Sequence, residues 1–520
     1  MTRIELNPSV LEKSYKQEDW QRGYHSLTQE FDYWIDEMDG EIPADLQGTL
    51  FRNGPGLLEV NGERIHHPFD GDGMICAIAF QNGRAHFRNR FVQTEGYLAE
   101  QAAGKILYRG VFGTDKPGGW LTNLLDFRLK NIANTNILYW GGKLRALWEA
   151  AEPYALDPRT LDTLGLDNLD GVLKSGDAFA AHPRIDPACA ADGDACLVNF
   201  SIKPGLSSTI TLYEFAPDGK LLRKYAHSTP GFAFIHDFAI TPHYCIFFQN
   251  PVTFNPLNFL AGLRSAAECI QFHPDQPTQI VVIPRKGAGF DGSAQPNGNR
   301  ESAQLTAPRT FETLSGFVFH HANAFEQGDE VVIDSVCYAD LPAVEPEGDF
   351  RQTNFDAIAP GQLWRFRINL QTGAVDRQLL EGRCCEFPVV HPAKVGRLYR
   401  YAYLAAAHAP TGNAPHQAVV KVDTQSGDSF SDPQGNRLLW SAAPWGYVGE
   451  PIFVPRNPAS DPQIGAEDDG WLLVLAFDSS RDRSDLVILD AHDLSQIARL
   501  HLKHHVPYGL HGSFTPECFE

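Results

Sequence analysis

Nineteen histidines are spread along the chain, and four places set them in unusually apolar or compact surroundings. His182 stands in SGDAFAAHPRIDP, His236 in GFAFIHDFAITPHY, the doublet His320-His321 in GFVFHHANAFE, and His511 in VPYGLHGSF. An imidazole taken out of water needs either a hydrogen-bond partner or a metal ion. Taken singly, each reads first as a satisfied core histidine. Taken together, widely separated histidines in similar settings suit a fold whose elements each send one side chain to a common axis. No HExxH helix is present, and no His-x-Asp pair of the facial-triad kind. Asp237 directly follows His236, so on a strand the two side chains point to opposite faces. Asp237 is therefore expected to be a structural acceptor and not a co-ligand.

Three carboxylates stand alone in apolar stretches: Glu149 in LRALWEAAEPY, Glu386 in CCEFPVV and Glu450 in GYVGEPIFVPR. A buried carboxylate without a partner takes a large desolvation penalty or becomes protonated. One solution is to accept the Nδ1–H of a metal-bound imidazole, which fixes the ring and its tautomer. The other is a salt bridge to a nearby arginine such as Arg145 or Arg456, and both stay open for Glu149 and Glu450. FRNGPG (51–56) and HPFDGDG (67–73) lack the spacing of a nucleotide loop and read as tight turns. No G-x-S-x-G elbow occurs. His504-His505, in LKHHVPYG, reads as surface or packing residues.

The elements that must position these groups are short runs rich in β-branched and aromatic residues, closed by polar turns. TITLYEFAPDGK (209–220), QLWRFRINLQTG (362–373), QAVVKVDTQSG (417–427) and DLVILDAHDL (485–494) are examples, and KLRALWEAAEPYALDPRT (143–160) ends likewise. Such turns favour antiparallel hairpins. In 486–489 the sequence Leu-Val-Ile-Leu leaves half-buried and fully buried strands undistinguished. Helices are expected only over Pro256–Ala267 and near Trp120–Leu129. An all-β chain of 520 residues must hide many sheet edges. A propeller does so by radial repetition, with stacked sandwiches as the competitor. The polar stretch 286–304 reads as a surface insertion between blades, and no interdomain linker stands out, so the whole of 1–520 reads as one domain.

The chain carries 64 acidic and 43 basic side chains, a formal net charge of -21. That balance argues against a nucleic-acid partner and gives no attraction to anionic lipid. Nine scattered cysteines without a CxxC pair support neither a disulfide framework nor a thiolate zinc site. A reduced cytoplasmic protein is the simplest expectation, with no apolar signal-peptide core in the first residues and no window long enough to span a bilayer.

In order along the chain, FRNGPG, HPFDGDGM, AHPRIDP, FAFIHDFAIT, FHHANAFE, EFPVVHP, EPIFVPR and YGLHG resemble the motifs of the carotenoid cleavage oxygenase family, over residues 16 to 516. GKILYRGVFG, LKNIANTNI and SIKPGLSSTITL bring it nearest to the cyanobacterial members that cleave apocarotenoids at the 15,15′ bond. The resemblance implies an all-β, seven-bladed β-propeller, capped by loops and short helices, with one non-heme Fe(II) on the axis and dioxygen as cosubstrate. It implies His182, His236, His320 and His511 as iron ligands, with His321 only a neighbour. Glu149, Glu386 and Glu450 then brace His236, His320 and His511, and His182 has no such carboxylate. Thr135 matches a threonine beside the open iron position, and Trp148, Phe234, Phe319 and Tyr338 match substrate-tunnel residues that otherwise read as blade packing.

The implied reaction is oxidative cleavage of an apocarotenoid C=C bond to a retinal-type aldehyde and a shorter carbonyl product. Cleavage of intact carotenoids at 9,10 and 9′,10′, cleavage of stilbene-type olefins, isomerohydrolase action on a retinyl ester, a non-catalytic carotenoid-binding propeller and a zinc hydrolase are the alternatives. A lipid-soluble substrate needs an entrance. The apolar segments GGWLTNLLDFRLK (118–130) and VTFNPLNFLAGLR (252–264) are expected to touch one membrane leaflet, with Lys116, Arg128, Lys130 and Arg264 offsetting the acidic surface.

Overall fold

The computed structural model describes residues 13–126, 128–189, 193–285, 305, 307–342, 349–426, 437–456 and 466–520; the 286–304 segment lies outside them. Seven antiparallel sheets form the blades of a β-propeller. Each blade starts on an inner strand. From blade 2 to blade 7 these are Asn136–Trp140, Arg184–Asp186, Ala239–Ile240, Phe317–Gln327, Cys385–Val389 and, in blade 7, the pieces Gly446–Val448 and Ile452–Pro455.

The ring closes at both ends of the chain. The C-terminal strand Gly512–Thr515 is the inner strand of blade 1, where it pairs with Gly48–Leu57 in a register that sets Arg52 opposite Gly512. Near the N-terminus, Met38–Gly40 adds an outer strand to blade 7 by pairing with Gln496–His501. Each half of this double clasp removes a sheet edge that would otherwise be open.

Packing between blades settles the ambiguous alternation in 486–489. Leu486 and Ile488 enter the core shared by blades 7 and 1, while Val487 and Leu489 enter the core shared by blades 6 and 7. All four side chains are fully buried. A middle strand of a propeller is covered on both faces, so its sequence loses the polar half of the β alternation.

Several expectations are corrected. The two helical segments shrink to single turns, Trp120–Asn123 and Leu257–Leu260, because apolar content there serves surface loops and not a helix face. FRNGPG is not a turn but part of the long, wholly buried strand Gly48–Leu57. Gly54 is required by close approach: a Cβ there would lie 2.5 Å from the Gly509 Cα. In HPFDGDG, residues Pro68–Asp70 form a short 3₁₀ turn, and the strand Asp72–Gln81 starts at once after Gly71. Cys189 and Cys196 form a disulfide with Cα atoms 5.9 Å apart. Their separation of seven residues matches no motif.

Candidate metal centre

The inner ends of the blades bring the four histidines together. His511 immediately precedes the inner strand of blade 1, His182 stands two residues before that of blade 3 and His236 three before that of blade 4, while His320 lies within the inner strand of blade 5. Their ligand nitrogens all lie within 4.8 Å of one another. The Nε2 atoms of His182 and His236 are 2.8 Å apart. Adjacent nitrogens on one first-row ion, with bonds of about 2.0–2.1 Å, stand about 3 Å apart. His321 turns away, and its Nδ1 bonds the Ser335 hydroxyl at 2.7 Å.

Three carboxylates occupy the outward nitrogens. Glu149 Oε2 lies 2.5 Å from His236 Nδ1, Glu386 Oε2 lies 2.5 Å from His320 Nδ1, and Glu450 Oε1 lies 2.9 Å from His511 Nδ1. These contacts fix the tautomer that keeps the Nδ1 proton outward and turns the Nε2 lone pair inward. Among the described residues no carboxylate reaches His182. Neither arginine named from the sequence reaches Glu149 or Glu450, because Arg145 pairs with Asp167 and Arg456 with Asp469 and Asp490; Glu450 meets both its histidine and a different arginine, Arg52. Asp237 accepts from Arg184 and from the backbone N–H of His321 and is not part of the cluster.

Burial, with His236, His511 and His320 close by, holds His182 well below the usual histidine range. Burial also lowers His511, against the pull of Glu450. For His320 burial works downward too, but the Glu386 carboxylate prevails and raises it. Glu386 and Glu450 are depressed despite burial, the first by His320 and the second by His511 and Arg52.

The donor set fits a metal ion. The Nε2 of His320 is buried with no hydrogen-bond partner, and such orphans are rare in folded proteins unless something else satisfies them. Four neutral imidazoles supply four lone pairs and no charge, while the carboxylates place negative charge one bond further out.

The structure adds contacts that the sequence did not reveal. Arg52, inside FRNGPG, donates to Glu450 Oε2 at 2.5 Å and to the Leu510 carbonyl at 3.1 Å. Glu450 Oε2 also accepts from the Gly512 N–H at 2.9 Å. Asn53 donates its backbone N–H to the His511 carbonyl at 2.8 Å, and its side-chain amide to the carbonyls of Ala133 and Asn136 on either side of Thr135. Tyr338 donates to Glu386 Oε1 at 2.9 Å. Phe387, at a left-handed φ of 55°, gives its N–H to Glu386 Oε2 at 2.7 Å. The glycine-rich composition of 51–56 was the only signal for the first group; in the second, Tyr338 was expected only as a tunnel residue and nothing marked Phe387.

Beside the cluster opens a cavity of about 990 Å³, lined by His236, His320 and His511 and by Thr135, Trp148, Phe234, Phe319 and Tyr338. The Phe319 ring centroid lies 5.8 Å from that of His236 and 5.9 Å from that of Tyr338. Thr135 lends its carbonyl to the His511 N–H, and its hydroxyl bonds Asn134. At the blade 4 side Asn255, Asn258 and Arg264 also reach the cavity wall. On the adjoining surface Trp120, Leu121, Leu125, Leu257 and Leu263 are more than half exposed. The expected basic rim is weaker than its composition suggested. Lys130 is buried between Asp72 and Glu100, and Lys116 and Arg128 both pair with Asp126. Among the described residues no helix is long and apolar enough to cross a membrane.

Residues 24–516 match the family described as retinal pigment epithelial membrane protein. The apocarotenoid-15,15′-oxygenase of Synechocystis sp. is 55% identical over 511 residues, 98% of either chain. Isoeugenol monooxygenase of Pseudomonas nitroreducens is 31% identical, covering 92% of this chain and 94% of its own. Lignostilbene-alpha,beta-dioxygenase isozyme III of Sphingomonas paucimobilis is 30% identical, covering 92% and 93%. The structure of the cobalt-substituted Synechocystis apocarotenoid oxygenase superposes with a TM-score of 0.89 at 55% identity, covering 97% of this chain and 100% of that one. The chain therefore belongs to the retinal pigment epithelial membrane protein family, that of the carotenoid cleavage oxygenases.

Proposed function

We propose that this protein is an Fe(II)-dependent dioxygenase that cleaves the 15,15′ double bond of an apocarotenoid, giving a retinal-type aldehyde and a shorter carbonyl product. The observation that carries this reading is the aromatic-walled cavity lined by three of four converging imidazoles, each of those three backed by its own carboxylate. Iron(II) held by His182, His236, His320 and His511 supplies the chemistry by which dioxygen reacts with a conjugated C=C bond.

The chain's own residues do the rest. Glu149, Glu386 and Glu450 hold the Nδ1 protons outward and so keep the inner nitrogens free as donors. Tyr338 fixes Glu386 and Arg52 fixes Glu450, which immobilises the rings they brace. Trp148, Phe234, Phe319 and Tyr338 offer flat apolar walls to a rigid polyene and exclude water from the reacting bond. Thr135 narrows the space next to His511. The identity to the Synechocystis oxygenase supports 15,15′ cleavage over the other family reactions.

The reading extends to the setting. The chain works as one propeller domain in the cytoplasm, and the apolar surface at 118–130 and 252–264 dips into one leaflet beside the cavity. With Lys116 and Arg128 paired to Asp126 and Lys130 held between Asp72 and Glu100, that contact draws on apolar burial more than on charge. The test is a substrate panel given to the iron-loaded protein in air: all-trans apo-8′-carotenal, β-carotene and a hydroxystilbene, with products identified by chromatography and mass. Retinal from the apocarotenal alone is the expected result. Aldehydes of another length move the scissile bond, and turnover of the stilbene alone removes the apocarotenoid assignment.

A further inference from the structure

Two polar groups in the cavity have no part in the chemistry described above. Past the cluster, on the side of blades 6 and 7, the Phe387 ring lies 5.7 Å from His320 and 5.3 Å from His511. Beyond it, 6.1 Å from the same ring, stands His416, the first residue of the blade 6 strand His416–Asp423. This end of the cavity is completed by Trp20, Tyr24, Cys384, Asn413, Tyr447 and Tyr508.

Most polar atoms there are engaged. Cys384 Sγ donates to Asn413 Oδ1 at 3.1 Å, and Asn413 Nδ2 to the Ile358 carbonyl at 3.1 Å. The Tyr508 hydroxyl donates to the Trp20 carbonyl at 3.1 Å and that of Tyr447 to the Lys16 carbonyl at 3.2 Å. The imidazole of His416 and the hydroxyl of Tyr24 have no hydrogen-bond partner among the described residues, although both line the cavity. The Tyr24 ring is wedged between Trp20, at 5.1 Å, and Tyr508, at 4.7 Å.

Burial lowers the His416 pKa, which keeps the ring neutral with one donor and one acceptor nitrogen. Two polar groups that face the cavity without a protein partner are satisfied there by water or by a ligand, and a ligand that displaces the water loses affinity unless it replaces those hydrogen bonds. A hydrocarbon chain completes nothing, whereas an oxygen at the end of that chain does. We propose that His416, helped by Tyr24, binds the terminal aldehyde or hydroxyl oxygen of the polyene and thereby fixes which double bond stands beside the four histidines. This rests on the function proposed above and assigns the substrate a polar end on the blade 6 side. A site built to pair an oxygen rejects the analogue that lacks it more strongly than an apolar pocket rejects an extra one.

The test uses the iron-loaded protein without oxygen, so that ligands bind but are not turned over. Tryptophan fluorescence is titrated with all-trans apo-8′-carotenal and with the polyene of equal length that ends in a methyl group. The wild type is expected to favour the aldehyde by roughly tenfold, the worth of one good hydrogen bond. His416→Phe removes that preference and leaves hydrocarbon affinity unchanged; in air the same variant releases aldehydes of mixed length. Tyr24→Phe, which keeps the ring packing, shrinks the preference by less. Equal weakening of both ligands in His416→Phe, or a preference that survives in both variants, overturns the assignment. Equal wild-type affinity for the two ligands overturns it too but leaves the proposed function standing, whereas binding of neither ligand removes both.

Discussion

The guanidinium of Arg52 donates to one oxygen of Glu450 while the other oxygen of the same carboxylate accepts from His511. One buried anion is thus shared between a fixed cation and a metal-facing imidazole, across strands about 400 residues apart in sequence. The Arg52 and Glu450 side chains are 5% and 11% exposed, so neither charge is relieved by water.

Removing one member of such a pair strands the other. Arg52→Met is expected to cost about 3–5 kcal/mol of stability, read from denaturant unfolding, and to lower metal retention by loosening His511. The double variant Arg52→Met/Glu450→Gln carries no stranded charge and should recover a large part of the loss. Additive losses in the two single variants and the double would mean that the pair is not coupled.

His236→Ala and His320→Ala are expected to abolish metal retention and turnover while the circular dichroism of the propeller persists. The blades are held by inter-blade cores that neither ring enters. Glu386→Gln keeps much of the metal but loses most turnover, and Tyr338→Phe does so more mildly. Losses of about 10- to 100-fold are usual when the group behind a ligand is removed. Metal analysis and single-turnover rates check both; wild-type metal content and rate in either histidine variant would exclude that residue as a ligand.

Blades 6 and 7 are joined by Lys421, whose Nζ lies 2.5 Å from Asp468 Oδ2, both side chains 6% exposed. Burial raises the Asp468 pKa, but the hydrogen bond and charge of Lys421 outweigh it and hold the carboxyl below its usual 3.8. A depressed folded-state value means that the contribution is complete above about 3.8 and fades as pH falls through the lower folded value. The wild-type unfolding midpoint should therefore drop more steeply with acid than that of Asp468→Asn. That variant should also be weaker at pH 7, and equal acid slopes would refute the pairing.

The four histidines and three glutamates were legible because each is a polar group set in an apolar run, an anomaly that survives without coordinates. Their convergence was not, since it depends on how seven inner strands point at one axis. The partners that brace the carboxylates were hidden for a further reason. Arg52 lies in a segment whose glycines suggested a turn, yet Gly54 serves a close strand-to-loop approach. Tyr338 was noted only as a wall residue, and its hydroxyl contact with Glu386 depends on how blade 5 packs beside blade 6. The two expected helices are single turns because their leucines sit on exposed surface loops and no helix face is buried there.

Those exposed leucines give the surface prediction. Trp120→Ser combined with Leu257→Ser should reduce flotation with neutral phosphatidylcholine vesicles and slow turnover of vesicle-borne apocarotenal, with detergent-dispersed substrate little affected. Unchanged flotation would assign the patch to another role.

The most direct test of the central claim compares turnover of all-trans apo-8′-carotenal by the iron-loaded and the metal-stripped protein, each with and without oxygen. The account predicts retinal and the matching short dialdehyde only when iron and oxygen are both present, with one iron per chain at full activity. Equal product from stripped protein, or from the loaded protein without oxygen, would contradict it.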